Sequence, residues 1–295
     1  MIGQALTNSL LIQGYEVIIL TRYPKKSSRA HVTFAKWDID LFEIDADAIS
    51  KADVIIHLAG ASVAEKRWTK KRKQEIIDSR VRSGELLVHA IKSIPNRIDT
   101  FISASAIGWY GPDNEISLQK GFIETDPMDT SYLGTTCGVW EQSVSEVEQL
   151  GIRLVITRIG IVLNKRGGAL KAMLIPARLG LATIFGHGKQ MVSWIHQKDL
   201  YQLFLFAIEN QQVHGIYNAV APHAITNKEL VITLAKKAIG FYIPLHIPSI
   251  LLKFLMGEMS IEILKSAHVS SSKIQNAGFE FQYPTIQKAL DQILD

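Results

Sequence analysis

A single cysteine, Cys137, stands in 295 residues. No disulfide can form within the chain, so packing and not covalent cross-links must hold it, as suits a reducing compartment. We expect a cytoplasmic protein. Long apolar runs are also missing. The most apolar stretch, IGFYIPLHIPSILLKFLMG (239–257), is interrupted by two prolines, a histidine and a lysine. A membrane span takes roughly 20 consecutive apolar residues, so no span is expected. We read the stretch as two short helical pieces of a small domain, with a helix lying on a membrane surface as the alternative. No charged leader precedes an apolar segment, which argues against a signal peptide. No His, Cys and carboxylate set has metal-ligand spacing, so no metal site is expected. GHGK at 186–189 lacks the GxxxxGK[ST] spacing of a phosphate-binding loop. Finally, no charge sign dominates: 32 Lys and Arg face 28 Asp and Glu, a net +4. That balance is too even to indicate nucleic acid. The basic run EKRWTKKRKQE (65–75) reads first as a solvated helix face.

What is present is a globular, mixed α/β pattern. Hydrophobic residues make up 47% of the chain, enough for a substantial core. YEVIILT (15–21), ADVIIHLAG (52–60), DTFISASAIGWYG (99–111) and IRLVITRIGIVL (152–163) read as strands, and HGIYNAV (214–220) as a further one. Continuous apolar strands suit a sheet covered on both faces. Amphipathic segments such as 69–94 separate them, which implies a Rossmann-like, doubly wound parallel sheet. After about residue 165 the texture shifts to helix and loop. We therefore expect a dinucleotide-binding domain over 1–165. Residues 166–295 would hold the last sheet strand or strands and a smaller, mostly helical substrate lobe. In such folds ligands bind at the carboxyl ends of strands. Those ends are Thr21-Arg22, Leu58-Ala59-Gly60, Ser103 to Ser105, and Arg158 onward.

The opening MIGQAL reads as a helix already under way, yet a dinucleotide fold starts with a strand and a glycine-rich turn. Five blocks explain this together: HLAGASVAEKRWTKKRKQEIIDSRVRSGELL, ISASAIGWYG, TRIGIVLNKRGGALKAMLIPARLGLA, GHGKQMVSWIHQKDL and GIYNAVAPHAITNKEL. In that order they resemble the sugar-nucleotide-epimerase-like family of atypical extended short-chain dehydrogenases/reductases. The likeness runs through GEM (257–259) and NAGFEFQYPTIQKAL (276–290). Members begin with a strand and a GGTGxIG turn, of which only Ile2-Gly3 has a counterpart here. The resemblance thus implies a sheet without its first strand, shorter by about ten residues than the family pattern. It further implies that the chain as written binds dinucleotide weakly.

The resemblance assigns roles to particular residues. Gly3 corresponds to the last glycine of the turn. Arg22, with Thr21 beside it, takes the position where an arginine accommodates a 2′-phosphate, which implies NADP as cofactor. Leu58, Ala59 and Gly60 line the cofactor, Glu75 and Arg80 face it from the following helix, and Val162 completes the set. Arg67-Trp68 falls in a loop near the site. Ser105 and Tyr132, 27 residues apart, correspond to a substrate-binding hydroxyl and a tyrosine acid/base. The family signature Tyr-x-x-x-Lys is incomplete, because Thr136 stands where the lysine belongs. An unassisted phenol titrates near ~10, so this departure bears directly on activity. In WIHQKDL, His196 reads as a structural or substrate-lobe residue in preference to a general base, and Asp199 as a capping or first-turn acid. Two function classes follow. One is an NADP(H)-dependent oxidoreductase or epimerase acting on a small polar substrate, sugar nucleotides included. The other is a catalytically weak or inactive NADP-binding or partner-binding protein of the same fold. A nucleic-acid binder using residues 65–73 ranks below both.

Overall fold

A computed structural model describes residues 2–295. Helix α1 (Ile2–Ile12) buries Leu6 and Leu10, one turn apart, and the chain turns at Gly14 with φ 84° into β1 (Val17–Thr21). Glycine, without a Cβ, adopts that backbone angle at little steric cost. β2 (Val32–Asp38), β3 (Glu43–Ile44), α2 (Ala46–Lys51) and β4 (Val54–His57) follow. The long helix α3 (Lys70–Ser93) starts at Thr69, whose hydroxyl accepts from the Arg72 amide at 3.1 Å. β5 (Thr100–Ala106) leads into a 3₁₀ turn, Ile107–Trp109. Then come α4 (Glu115–Lys120), α5 (Tyr132–Gln142) and β6 (Arg153–Ile159). The apolar run 152–163 reads as one strand, but the structure divides it at Gly160, and β7 (Ile161–Leu163) pairs elsewhere. A Cβ on Gly160 would stand 2.8 Å from both the Ser193 carbonyl oxygen and Val220 Cγ1. The chain changes sheets at this crowded point, a tertiary event that hydrophobic periodicity cannot report.

The second half continues with α6 (Gly168–Ala177), β8 (Leu181–Phe185), β9 (Met191–Val192), β10 (Trp194–His196), α7 (Gln197–Glu209) and β11 (Gly215–Ala219). β12 (Ile225–Thr226), α8 (Asn227–Ile239), β13 (Ile243–Ile247), α9 (Ser249–Met256), α10 (Met259–Leu264), α11 (Ser272–Asn276) and α12 (Ile286–Leu294) complete it. The stretch 239–257 is thus strand then helix, not two helices. Pairing with β8 extends its first half; Pro244 lies within that strand and Pro248 directly after it. The C-terminal part carries more strand than its sequence texture implies, in three two-stranded pairings.

The main sheet runs β11-β6-β5-β4, all parallel. Successive residues of its central strands feed opposite layers. Ile102 and Val155 join Leu6, Leu10, Leu203 and Phe204 on one side. Phe101, Leu154 and Ile156 join Leu87, Ile91 and Val147 on the other. Both faces being covered is why these strands read as unbroken apolar runs. β1 and β2 pair in parallel in a separate three-stranded sheet. Among the described residues no ladder joins β1 to β4, and every residue of β1 is only half-buried. A third core, from α6, α8 and α12 around Ala182, Ile184 and Trp194, supports the C-terminal lobe.

Candidate active site at the carboxyl ends of the strands

Strand register places three polar residues in one row. Ser105 on β5 lies opposite Arg158 on β6, and Arg158 opposite Asn218 on β11. All three are at most 2% exposed, so each needs partners inside the protein. Glu141 of α5 supplies the central one. Ser105 Oγ donates to Glu141 Oε1 at 2.7 Å, and Arg158 donates to both carboxylate oxygens at 2.9 and 3.0 Å. Arg158 Nη1 also reaches Tyr110 Oη and the Glu124 carbonyl, each at 3.1 Å. Tyr110 donates onward to Asn218 Oδ1 at 2.7 Å. The Trp109 ring covers the guanidinium, 3.7 Å from its carbon. Burial would lower the Arg158 pKa, but the Glu141 hydrogen bonds and charge outweigh it and the net shift is upward. Burial pushes the Tyr110 phenol up to about 12 despite the neighbouring arginine. The network therefore holds one charged pair and a neutral tyrosine.

A second cluster closes the end of β4. His57 Nε2 lies 2.8 Å from Ser83 Oγ, and Nδ1 lies 3.4 Å from Ser103 Oγ. Burial and then the Arg80 charge hold the imidazole down at about 4, so it is neutral at neutral pH. Arg80 Nη1 donates to the Ala61 and Ile76 carbonyls at 3.0 and 2.9 Å. Its guanidinium lies over Trp140 and against Gly60, where a Cβ would be 3.0 Å from Cζ. Gly60 thus serves close packing of the arginine as well as loop shape. Burial, and then the Glu141 charge, push the Cys137 thiol up to about 11, as expected of an unreactive core cysteine.

The hydroxyls of Ser105 and Tyr132 are engaged separately. Tyr132 begins α5 and donates to the Lys73 carbonyl at 3.0 Å. Trp68 meets its ring edge-on at 4.9 Å, and Lys73 Nζ lies 5.0 Å from the ring centroid. Burial raises the phenol's pKa, and Thr136, Arg80 and Arg72 only moderate the rise. Thr136 also donates to the Tyr132 carbonyl at 2.6 Å, a helix-internal bond. Lys73 itself pairs with Glu258, linking α3 to the C-terminal lobe.

The remaining expected residues divide by exposure. Arg22 follows β1 on the surface, and among the described residues it has no hydrogen bond or ion pair. Thr21 Oγ1 accepts from the Tyr23 amide at 3.3 Å. Leu58 and Ala59 are half-buried, while Gly60 and Gly3 are exposed. Gly3 sits in α1 with open space around it. Val162, half-buried, packs into the core layer that contains Ile195 and Leu200. Glu75 is exposed and bonded to Arg72 at 2.7 Å. Arg72 is the residue the basic run conceals. It is buried, and it also donates to the Ser62 carbonyl at 2.5 Å, pinning the 61–69 loop. Glu141, Tyr110 and Asn218 were likewise not legible as site residues. The one available signal was a charged residue, Arg158, near the carboxyl end of a strand that is apolar apart from Arg153 and Thr157. His196 caps α7, accepting from the Lys198 amide at 3.2 Å. Asp199 is buried and receives the Gln282 and Tyr283 amides at 2.9 and 3.0 Å, anchoring the C-terminal segment.

Comparison with known proteins places this geometry among relatives. The model of the NAD dependent epimerase/dehydratase family matches residues 1–219, and that of a domain of unknown function (DUF1731) matches 247–293. The chain is 34% identical to the epimerase family protein SAR0825 of Staphylococcus aureus, over 100% of this chain and 96% of the relative. It is 33% identical to the epimerase family protein YfhF of Bacillus subtilis, over 99% and 94%. The crystal structure of the human epimerase family protein SDR39U1 (isoform 2) with NADPH superposes with a TM-score of 0.87 at 28% identity, covering 100% of this chain and 96% of that one.

Proposed function

The chain belongs to the NAD dependent epimerase/dehydratase family, and from that premise we propose that it is an NADP(H)-dependent oxidoreductase or epimerase-like protein. Its substrate would be small and polar, with sugar nucleotides as one class. The observation that carries the cofactor choice is Arg22, exposed directly after β1 and without a partner among the described residues. A cation left free at that strand end is suited to a 2′-phosphate. Leu58, Ala59 and Gly60 supply small or apolar surface beside it, and the human relative solved with NADPH supports the same choice. When bound, the cofactor supplies a hydride donor or acceptor. This chain's own residues bind and orient it. Arg80 acts from behind, by holding the Ala61 carbonyl and so the 58–61 loop. Residues 1–165 form the dinucleotide-binding part in this reading, and 166–295 the remainder with the substrate lobe. The sheet would lack one strand between β1 and β4, a position supported by the missing ladder and the half-buried β1.

Calorimetry on Arg22→Ala tests the proposal. NADPH affinity should fall about 10- to 100-fold, the worth of a charge-assisted contact, while NADH affinity stays within about twofold. Equal losses for both would show that Arg22 does not read the 2′-phosphate.

A second reading, NADP binding without efficient turnover, is favoured by the engaged hydroxyls. Ser105 and Tyr132 are the proposed catalytic pair, yet each donates to a protein group and no lysine assists the phenol. We expect Tyr132→Phe to reduce stability by about 1 kcal/mol and to leave any NADPH-dependent turnover within about twofold. A fall of about 100-fold or more would reinstate Tyr132 as the proton donor.

A further inference from the structure

The C-terminal lobe shows a face that neither cofactor binding nor catalysis explains. On α9, Ile250 and Phe254 are 79% and 77% exposed, and at i and i+4 they project from one side. Ile175 in the last turn of α6 and Leu179 in the turn just after it are also exposed. The two patches are joined. The Ile243 amide donates to the Gly180 carbonyl at 2.7 Å, and Gly180 lies against the Phe241 ring. From there Ile243 and Leu245 of β13, both exposed, continue the apolar surface toward α9.

The segments that form this surface carry basic residues and no acid. No Asp or Glu occurs from residue 149 to 198 or from 230 to 257. Lys171, Arg178, Lys236 and Lys253 are exposed there. The bordering carboxylates are occupied, Glu258 with Lys73 and Glu262 with Lys265. Two grooves of about 560 and 520 Å³ lie elsewhere, beside α8 and α12 and between α3 and α5.

Protruding apolar side chains amid unopposed cations fit an acidic, deformable surface. We propose that this face docks on an anionic lipid bilayer, with Ile250 and Phe254 inserted and Arg178 and Lys253 at the headgroups. A second copy of the chain is a poorer occupant, because pairing like faces would bring the cations together without an acid. β13 also resists edge pairing. Its Ile243 amide points to β8, so the outward position falls to Pro244, which has no N–H. The proposal stands independently of the cofactor reading.

Flotation of the full chain with vesicles tests it. We expect binding to phosphatidylcholine vesicles containing about 30% phosphatidylglycerol and not to phosphatidylcholine alone. Ile250→Ser with Phe254→Ser should weaken binding about 10-fold or more, with an unchanged melting temperature because both side chains are already in solvent. Arg178→Glu with Lys253→Glu should weaken it by a similar factor, and added salt should release the wild type. Failure to float with the anionic vesicles would overturn the proposal, as would equal binding to both kinds. So would a dimer seen by light scattering that Phe254→Ser dissociates, since the face would then belong to a second copy.

Discussion

Arg158→Leu should destabilise the folded chain by about 3–5 kcal/mol, read as a large fall in the urea midpoint. The substitution leaves the Glu141 carboxylate buried with Ser105 as its one remaining hydrogen-bond partner in the network, and deprives Tyr110 and the Glu124 carbonyl of a donor. Removing one member of a buried pair strands a charge where water cannot replace the partner, which is why the cost exceeds that of a surface bridge. The double variant Arg158→Met with Glu141→Leu should recover most of the loss. A buried pair contributes little net stability compared with apolar groups of similar volume, because desolvation offsets the attraction. If Arg158→Leu alone shifts stability by less than about 1 kcal/mol, water enters the network and its description as a dry pair is wrong. The double variant also separates architecture from chemistry. It should fold while losing the fixed positions of Ser105, Tyr110 and Asn218 at the strand ends.

Acid should unfold this protein through its buried histidines. His57 and His196 are both held down at about 4, by burial first and then by the nearby Arg80 and Lys198 charges. In the unfolded chain they return to about 6.5. Between those values the unfolded state binds more protons, so stability falls as pH falls. The contribution is fully present above about 6.5 and is lost progressively on the way down to about 4. Each histidine should account for roughly 3 kcal/mol across that window. Asp199 acts in the opposite sense. Burial raises its pKa, so protonation relieves it and partly offsets the loss. Denaturant midpoints measured from pH 7 to pH 4 check the prediction. His57→Gln should flatten part of the slope, and a profile already flat in the wild type would mean that both rings titrate freely.

Local features were legible wherever local chemistry decides conformation. Thr69 and the periodic residues after it define a helix over 69–94, and the helix observed is Lys70–Ser93. Gly14 marks a reversal that only glycine makes cheaply. The apolar runs at 15–21, 52–60 and 99–111 contain β1, β4 and β5, and HGIYNAV contains β11. Element order carried the parallel Rossmann-like fold, because strand–helix alternation has few packing solutions. The break at Gly160 and the strand within 239–257 were not legible. Both depend on a partner, Ser193 and Val220 in one case and β8 in the other, that is distant in sequence or hidden by an apolar run compatible with either conformation.

The candidate site divides along the same line. By itself the sequence determined residue types at strand ends: a cation after β1, small residues after β4, a hydroxyl near the end of β5, and no lysine four residues after Tyr132. These are one-dimensional facts tied to backbone position. Only the tertiary structure decided what each side chain does. It left Arg22 in solvent and turned Arg80 onto its own loop. It spent Ser105 on Glu141 and Tyr132 on the Lys73 carbonyl. The physical reason is that a buried polar group must find a partner or bear its desolvation cost. The choice among partners is made across strands and helices dozens of residues apart, where neither spacing nor composition holds any record of it.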